Sequence, residues 1–170
     1  ATPSGVGMYD VAVRGGIIVA VIEPELCQIE SAKVIDATGK IVVPGGIEPH
    51  AHIGGPRQPE RSGAGVVSRA AIYGGTTTIL DFATQIPGHD LWHALDEAQE
   101  RWNGNAYTDY SYHPIFAQDT GLDCIEQIPD LIESGFPSFK VFTTSIRPPS
   151  KGIQNNHTDF GRLCEIMSRI

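Results

Sequence analysis

The chain has 170 residues, 41% of them hydrophobic and 19% charged, enough apolar mass for one domain or an uneven pair. A formal charge of −8 argues against a nucleic-acid surface, which needs clustered Lys and Arg, and no basic run interleaved with aromatics occurs. The longest apolar run, Ile17–Ile22, is far too short to span a bilayer.

The opening "ATPSGVG" lacks the basic and apolar regions of a signal peptide and reads as an appended remnant ahead of Met8. From residue 9 to 43 the pattern is that of short strands with turn punctuation: "YDVAVRGG", "IIVAVIEP" and "AKVIDATGKIVV". Alternation, β-branched residues and glycine pairs predict a small β layer over residues 1–44, with a hairpin turn at 36–40.

After Pro44 the rhythm changes. A strand over 46–53 leads into the loop "IGGPRQPERSGAG", and "VVSRAAIY" is helix-like up to Gly74 and Gly75. "TTTILDFA" is strand-like, and "HDLWHALDEAQERW" carries Leu91, Leu95, Ala98 and Trp102 at helical spacing. "DYSYHPIFA" predicts a strand, and "LDCIEQIPDLIESG" a helix broken or bent at Pro129 and stopped by Gly135. "SFKVFTT" predicts a further strand, and "TDFGRLCEIMSRI" a last helix capped by Thr158. Trp92 and Trp102 read as helix-packing residues. The cysteines Cys27, Cys124 and Cys164 are odd in number and far apart, so they read as buried thiols of a reducing, cytoplasmic setting.

Strand and helix thus alternate four times over residues 45–170, which predicts an α/β architecture with parallel strands. Four units fit either an open doubly wound sheet or half of an eight-fold barrel. An open dinucleotide-binding sheet should show G-x-G-x-x-G after its first strand, and none is present. Here the first strand ends in His50-Ala51-His52, and barrel folds carry their sites at the carboxyl ends of strands. The expectation is a (β/α) TIM-type barrel, represented by about its first four units.

Residues i and i+2 of a strand share a face, so His50 and His52 would offer two imidazoles to one cation. Lys140 lies inside an apolar strand pattern, on one face with Ser138 and Phe142. Burial there favours the neutral amine, which can add carbon dioxide to give a carbamate able to bridge two metal ions.

At this point a resemblance is visible. "VIDATGKIVVPGGIEPHAHI", "YGGTTTILDFA", "DYSYH" and "SFKVF" occur in the order and approximate spacing of the hydantoinase and dihydropyrimidinase branch of the cyclic amidohydrolases. It covers nearly the whole chain from Met8 and resembles only the N-terminal part of that family. What the resemblance implies is an eight-fold barrel carrying a small β-sandwich. Its site would hold two divalent metal ions, usually zinc, bridged by carboxylated Lys140 and a hydroxide, with His50 and His52 on the more buried metal. Such a site hydrolyses a cyclic amide or ureide to an N-carbamoyl amino acid or a close relative. The resemblance further implies a homo-oligomer, usually a tetramer, working on a small substrate, with no nucleic-acid or membrane partner.

The chain departs from the pattern in three respects. The family's two further metal-binding histidines and its proton-shuttling aspartate are expected beyond Ile170, and His89, His93, His113 and His157 do not match them. The 170-residue chain is therefore expected to be inactive by itself. Ser145 stands where hydantoinases carry a substrate-contacting tyrosine, and the segment after Gly15 and Gly16 is shorter than the family's sandwich. Dihydroorotases expect an arginine where this chain has Gly54, with Arg57 out of register, so that branch ranks below hydantoinase and allantoinase-like activity lies between. A non-catalytic assembly protein of the same lineage is the alternative of another class. Asp81 and His113, both near strand ends, are further candidates for the pocket, with a structural hydrogen bond to loop backbone the favoured reading of Asp81.

Overall fold

The computed structural model describes residues 5–26, 29–54, 61–86, 88–116, 120–143 and 158–170. The chain divides into two compact units, Ala1–Pro44 and Gly45–Ile170.

In the first unit, β1 (Asp10–Arg14) and β2 (Ile17–Ile22) form an antiparallel hairpin. Its two-residue turn uses Gly15 and Gly16 at φ +56° and +80°, a pair of left-handed conformations that a side chain would disfavour. The turn predicted at 36–40 is present: the Lys40 amide donates to the Ala37 carbonyl at 2.9 Å, and the Thr38 amide to Asp36 Oδ1 at 2.9 Å. Its predicted flanking strands do not form among the described residues. β-branched Val34, Ile35 and Ile41 favour extended backbone, but their side chains remain exposed and gain no burial from forming a sheet.

The second unit carries a parallel sheet in the order β3 (Gly46–Glu48), β4 (Thr76–Thr84), β5 (Asp109–Ile115). Helix α1 (Ala64–Tyr73) joins the first pair and α2 (Leu91–Trp102) the second. Past β5, Lys140 adds one parallel bridge to Ile115, its amide donating to the Pro114 carbonyl at 2.9 Å. Neighbours in this sheet follow sequence order with no reversal among the described strands.

Two predicted strands are shortened. The one over 46–53 stops at Glu48, because Pro49 has no N–H to continue the ladder. The described part of the "SFKVFTT" strand, residues 138–143, is reduced to the Lys140 bridge.

Helix α2 shows why the sequence folds as read. Asp90 caps it by accepting the His93 amide at 2.8 Å, and the stripe Leu91, Leu95, Ala98 and Trp102 is buried against β4 and β5. Burying Leu91 and Leu95 contributes on the order of 1.5–3 kcal/mol each. The core continues through Ile79, Ala83, Cys124, Ile125, Ile128, Leu131 and Ile166. The predicted helix over "LDCIEQIPDLIESG" is two: α3 (Leu122–Ile125) and α4 (Ile128–Glu133), with Pro129 in the first turn of the second, where its missing N–H costs nothing. In α5 (Phe160–Arg169) the cap is Asp159, accepting the Arg162 amide at 2.9 Å, and not Thr158, whose own amide donates to the Phe142 carbonyl.

Candidate metal centre

Beyond β3 the chain stays beside β4, the Ala51 amide donating to the Leu80 carbonyl at 3.1 Å. The extended alternation therefore persists without a regular ladder. Ala51 and Ile53 turn into the core, with Ile53 buried, and His50 and His52 turn to the opposite side. Glu48 Oε1 accepts the His50 amide at 2.9 Å and steadies the turn into the pair.

The two imidazoles lie 5.3 Å apart, centroid to centroid. Lys140 reaches both: its Nζ is 3.5 Å from His50 Nε2 and 3.4 Å from His52 Nε2. Phe82, on β4, is the floor beneath all three. Its ring centroid is 4.9 Å from that of His50, 4.4 Å from that of His52 and 4.0 Å from Lys140 Nζ.

Three basic nitrogens with no carboxylate among them repel one another when protonated. Burial pushes the Lys140 ammonium below its usual range, and no carboxylate among the described residues lies within ion-pair distance of it. His52 is pushed down first by burial, then by the positive charges of Lys140, Arg61 and His50, against a smaller opposing pull from Asp81. Deprotonated, the same groups are lone-pair donors converging on one point. That donor set fits a divalent transition metal, and a carbamate on Lys140 would add the anion the cluster lacks. Among the described residues no group of three or more His, Cys, Asp and Glu could hold a metal ion, and the third nitrogen beside the two histidines is that of Lys140.

The other sequence candidates are placed differently. Asp81 is buried at 1% exposure and is turned away from the cluster. Its Oδ1 accepts the amides of Ile53 (3.2 Å) and Phe82 (2.7 Å), and its Oδ2 accepts Arg101 Nη2 (3.2 Å) and Trp102 Nε1 (2.9 Å). His113 borders the cluster but has both ring nitrogens engaged, Nδ1 with Ser138 Oγ at 2.6 Å and Nε2 with the Pro49 carbonyl at 3.0 Å. His89 and His93 stack on each other at 4.2 Å by the start of α2 and do not join the cluster. Ser145, Arg57, His157 and Cys27 lie outside the described residues. Of the other two cysteines, Cys124 is buried as expected and Cys164 is exposed, on the outer face of α5. Gly54 is buried, and a Cβ there would collide with the Arg61 carbonyl, so the backbone leaves no room for a side chain. A separate open groove of about 810 Å³ beside α1, lined in part by Arg69, Tyr73 and Tyr107, contains none of the cluster residues.

Sequence reasoning missed Phe82, Ser138 and the Pro49 carbonyl. Phe82 carried a usable signal, since it lies at the carboxyl end of the strand next to the histidine segment.

No family model matches the chain. It is 37% identical over 140 residues to the D-hydantoinase of Streptomyces coelicolor, a match covering 78% of this chain and 29% of that protein. To the D-hydantoinase of Geobacillus stearothermophilus it is 40% identical over 138 residues, covering 78% and 28%. Among solved structures, a D-hydantoinase superposes with a TM-score of 0.81 at 30% identity, covering 98% of this chain and 34% of that one. The dihydropyrimidinase of Brevibacillus agri superposes with a TM-score of 0.78 at 29% identity, covering 95% and 33%. The chain thus spans about 30% of the length of the curated relatives it matches, and it matches their N-terminal part.

Proposed function

We propose that the chain forms part of a metal-dependent hydrolase that opens cyclic amides or ureides, of the hydantoinase and dihydropyrimidinase kind. The observation that carries this reading is the convergence of Lys140 Nζ on His50 Nε2 and His52 Nε2 at 3.5 and 3.4 Å, over the Phe82 ring. The likeness to hydantoinases and dihydropyrimidinases supports it. In this reading residues 1–44 are part of a small β-sandwich and residues 45–170 the first half of a TIM-type barrel. The in-order parallel strands support the barrel.

His50, His52 and Lys140 would hold the metal, with zinc the cation best suited to imidazole and carboxylate-type oxygen. When bound, such cations supply Lewis acidity and an ionised water near neutral pH. The protein's own contribution is to favour the neutral form of two of the donors. Burial and neighbouring positive charge favour neutral His52, and burial favours the neutral Lys140 amine. That amine attacks the carbon of carbon dioxide, forming an N–C bond as one C=O π pair moves onto oxygen, and releases one proton to water. The product is a carbamate with one negative charge shared by its two oxygens. Phe82 covers the underside of the three donors and excludes water there. The filled space at Gly54 leaves no place for the carboxylate-binding arginine of dihydroorotases and supports the hydantoinase ranking. The unmatched cysteines support a reducing, cytoplasmic setting.

The test is hydrolysis of hydantoin and dihydrouracil by the intact protein, before and after chelation and with zinc restored. Activity should follow metal content. It should fall severely in Lys140→Ala and return in part with short carboxylic acids that can occupy the place of the carbamate. Full activity in Lys140→Arg would contradict the role, because the guanidinium does not form a carbamate under these conditions.

A further inference from the structure

His50 and His52 lie on one segment and Lys140 on another, 88 to 90 residues away. These segments are not neighbours in the sheet. β4 and β5 separate them, so backbone pairing fixes their mutual register only through two intervening strands. One side chain closes that gap directly. His113, on β5, donates from Nε2 to the carbonyl of Pro49, the residue before His50, at 3.0 Å. Its Nδ1 lies 2.6 Å from the hydroxyl of Ser138, two residues before Lys140.

The partners fix the proton. A carbonyl oxygen can only accept, so Nε2 carries the hydrogen, and in the neutral ring Nδ1 accepts from the Ser138 hydroxyl. Both ring nitrogens are thereby used, and the imidazole cannot serve as a metal donor without giving up one of these bonds. His113 is also the direct cross-strand partner of Phe82, with ring centroids 5.6 Å apart, so the strap and the floor of the cluster are adjacent.

We infer that His113 is a positioning residue that ties the His50/His52 segment to the Lys140 segment and sets the donor spacing of the metal centre. This rests on the reading that His50, His52 and Lys140 hold the metal. Partners that orient metal-binding side chains are worth about ten- to a hundredfold in metal affinity, and a bond to each ligand-bearing segment belongs in that range.

The experiment is zinc affinity, measured by competition with a chromophoric chelator, on the intact protein and its variants, beside the melting temperature of each metal-free form. His113→Phe keeps a ring against Phe82 and loses both hydrogen bonds. It should weaken zinc binding about tenfold or more with little change in the metal-free melting temperature. His113→Gln, whose amide N–H can sit near the Nε2 position, should recover part of the loss. Adding Ser138→Ala to His113→Phe should cost less than Ser138→Ala costs alone, since the two act through one bond. If His113→Phe does not fold, Ser138→Ala carries the test with a smaller expected loss. His52→Ala separates the two ideas. If it abolishes zinc binding while His113→Phe and Ser138→Ala bind as the parent does, the strap is wrong and the metal centre stands. If His52→Ala binds zinc normally, the metal centre is wrong and the strap falls with it.

Discussion

Asp81 holds four donors with one buried carboxylate: the amides of Ile53 and Phe82, the Arg101 guanidinium and the Trp102 indole. Two of these donors sit beside cluster residues, since Ile53 follows His52 and Phe82 is the floor itself. Asp81→Ala would leave Arg101 without its ion-pair partner and take the Asp81 acceptor from three buried N–H groups, which should destabilise the protein by about 3–5 kcal/mol. Urea unfolding measures this, and a loss under about 1 kcal/mol would contradict the account. The cysteines give a second test at this scale. Burial pushes the Cys124 thiol up, and Cys164 is exposed. Thiolate is the reactive form, so alkylation at pH 8 followed by peptide mapping should label Cys164 well before Cys124. Equal rates would show that the core around Cys124 opens freely. The histidine pair and the lysine were legible in the sequence as separate residues. Their meeting is implied by the family resemblance but carries no local pattern, because it depends on contacts across 88 to 90 positions. For the same reason the strap from His113 to Pro49 and Ser138 carries no local pattern.

Elements with internal or near-neighbour partners were the ones best read from sequence. Helix α2 has its apolar stripe within one window, and Leu91, Leu95, Ala98 and Trp102 are buried as expected, while its Asp90 cap is added by the structure. Its cap is directly testable. Asp90→Ala should cost about 1 kcal/mol in urea unfolding, with Asp90→Ser close to the parent, and an unchanged Asp90→Ala would remove the capping argument. Strands were read less well. Residues 34–43 have the β-branched content of strands but form no regular strand, and the described part of the Lys140 segment keeps one bridge, because pairing is a property of the partner as much as of the segment. Pro49 shows the opposite lesson. A proline at the end of β3 ends the ladder but preserves the extended alternation, which is why His50 and His52 still share a side.

At the scale of the molecule, the second unit joins an in-order parallel sheet to a cluster at the carboxyl end of its strands, which is where β/α folds place their chemistry. The alternation of strand and helix was visible in the sequence from Pro44 onward, and with it the location of the cluster. The strand lengths and the pairing of residues 29–45 were not, since both are decided by long-range contacts. The central claim is that His50, His52 and Lys140 hold a metal ion. The most direct measurement is zinc stoichiometry by elemental analysis of the intact protein against His52→Ala, with both checked for folding. The account predicts bound zinc in the parent and loss of most of it in His52→Ala. Equal zinc in the two proteins would contradict it.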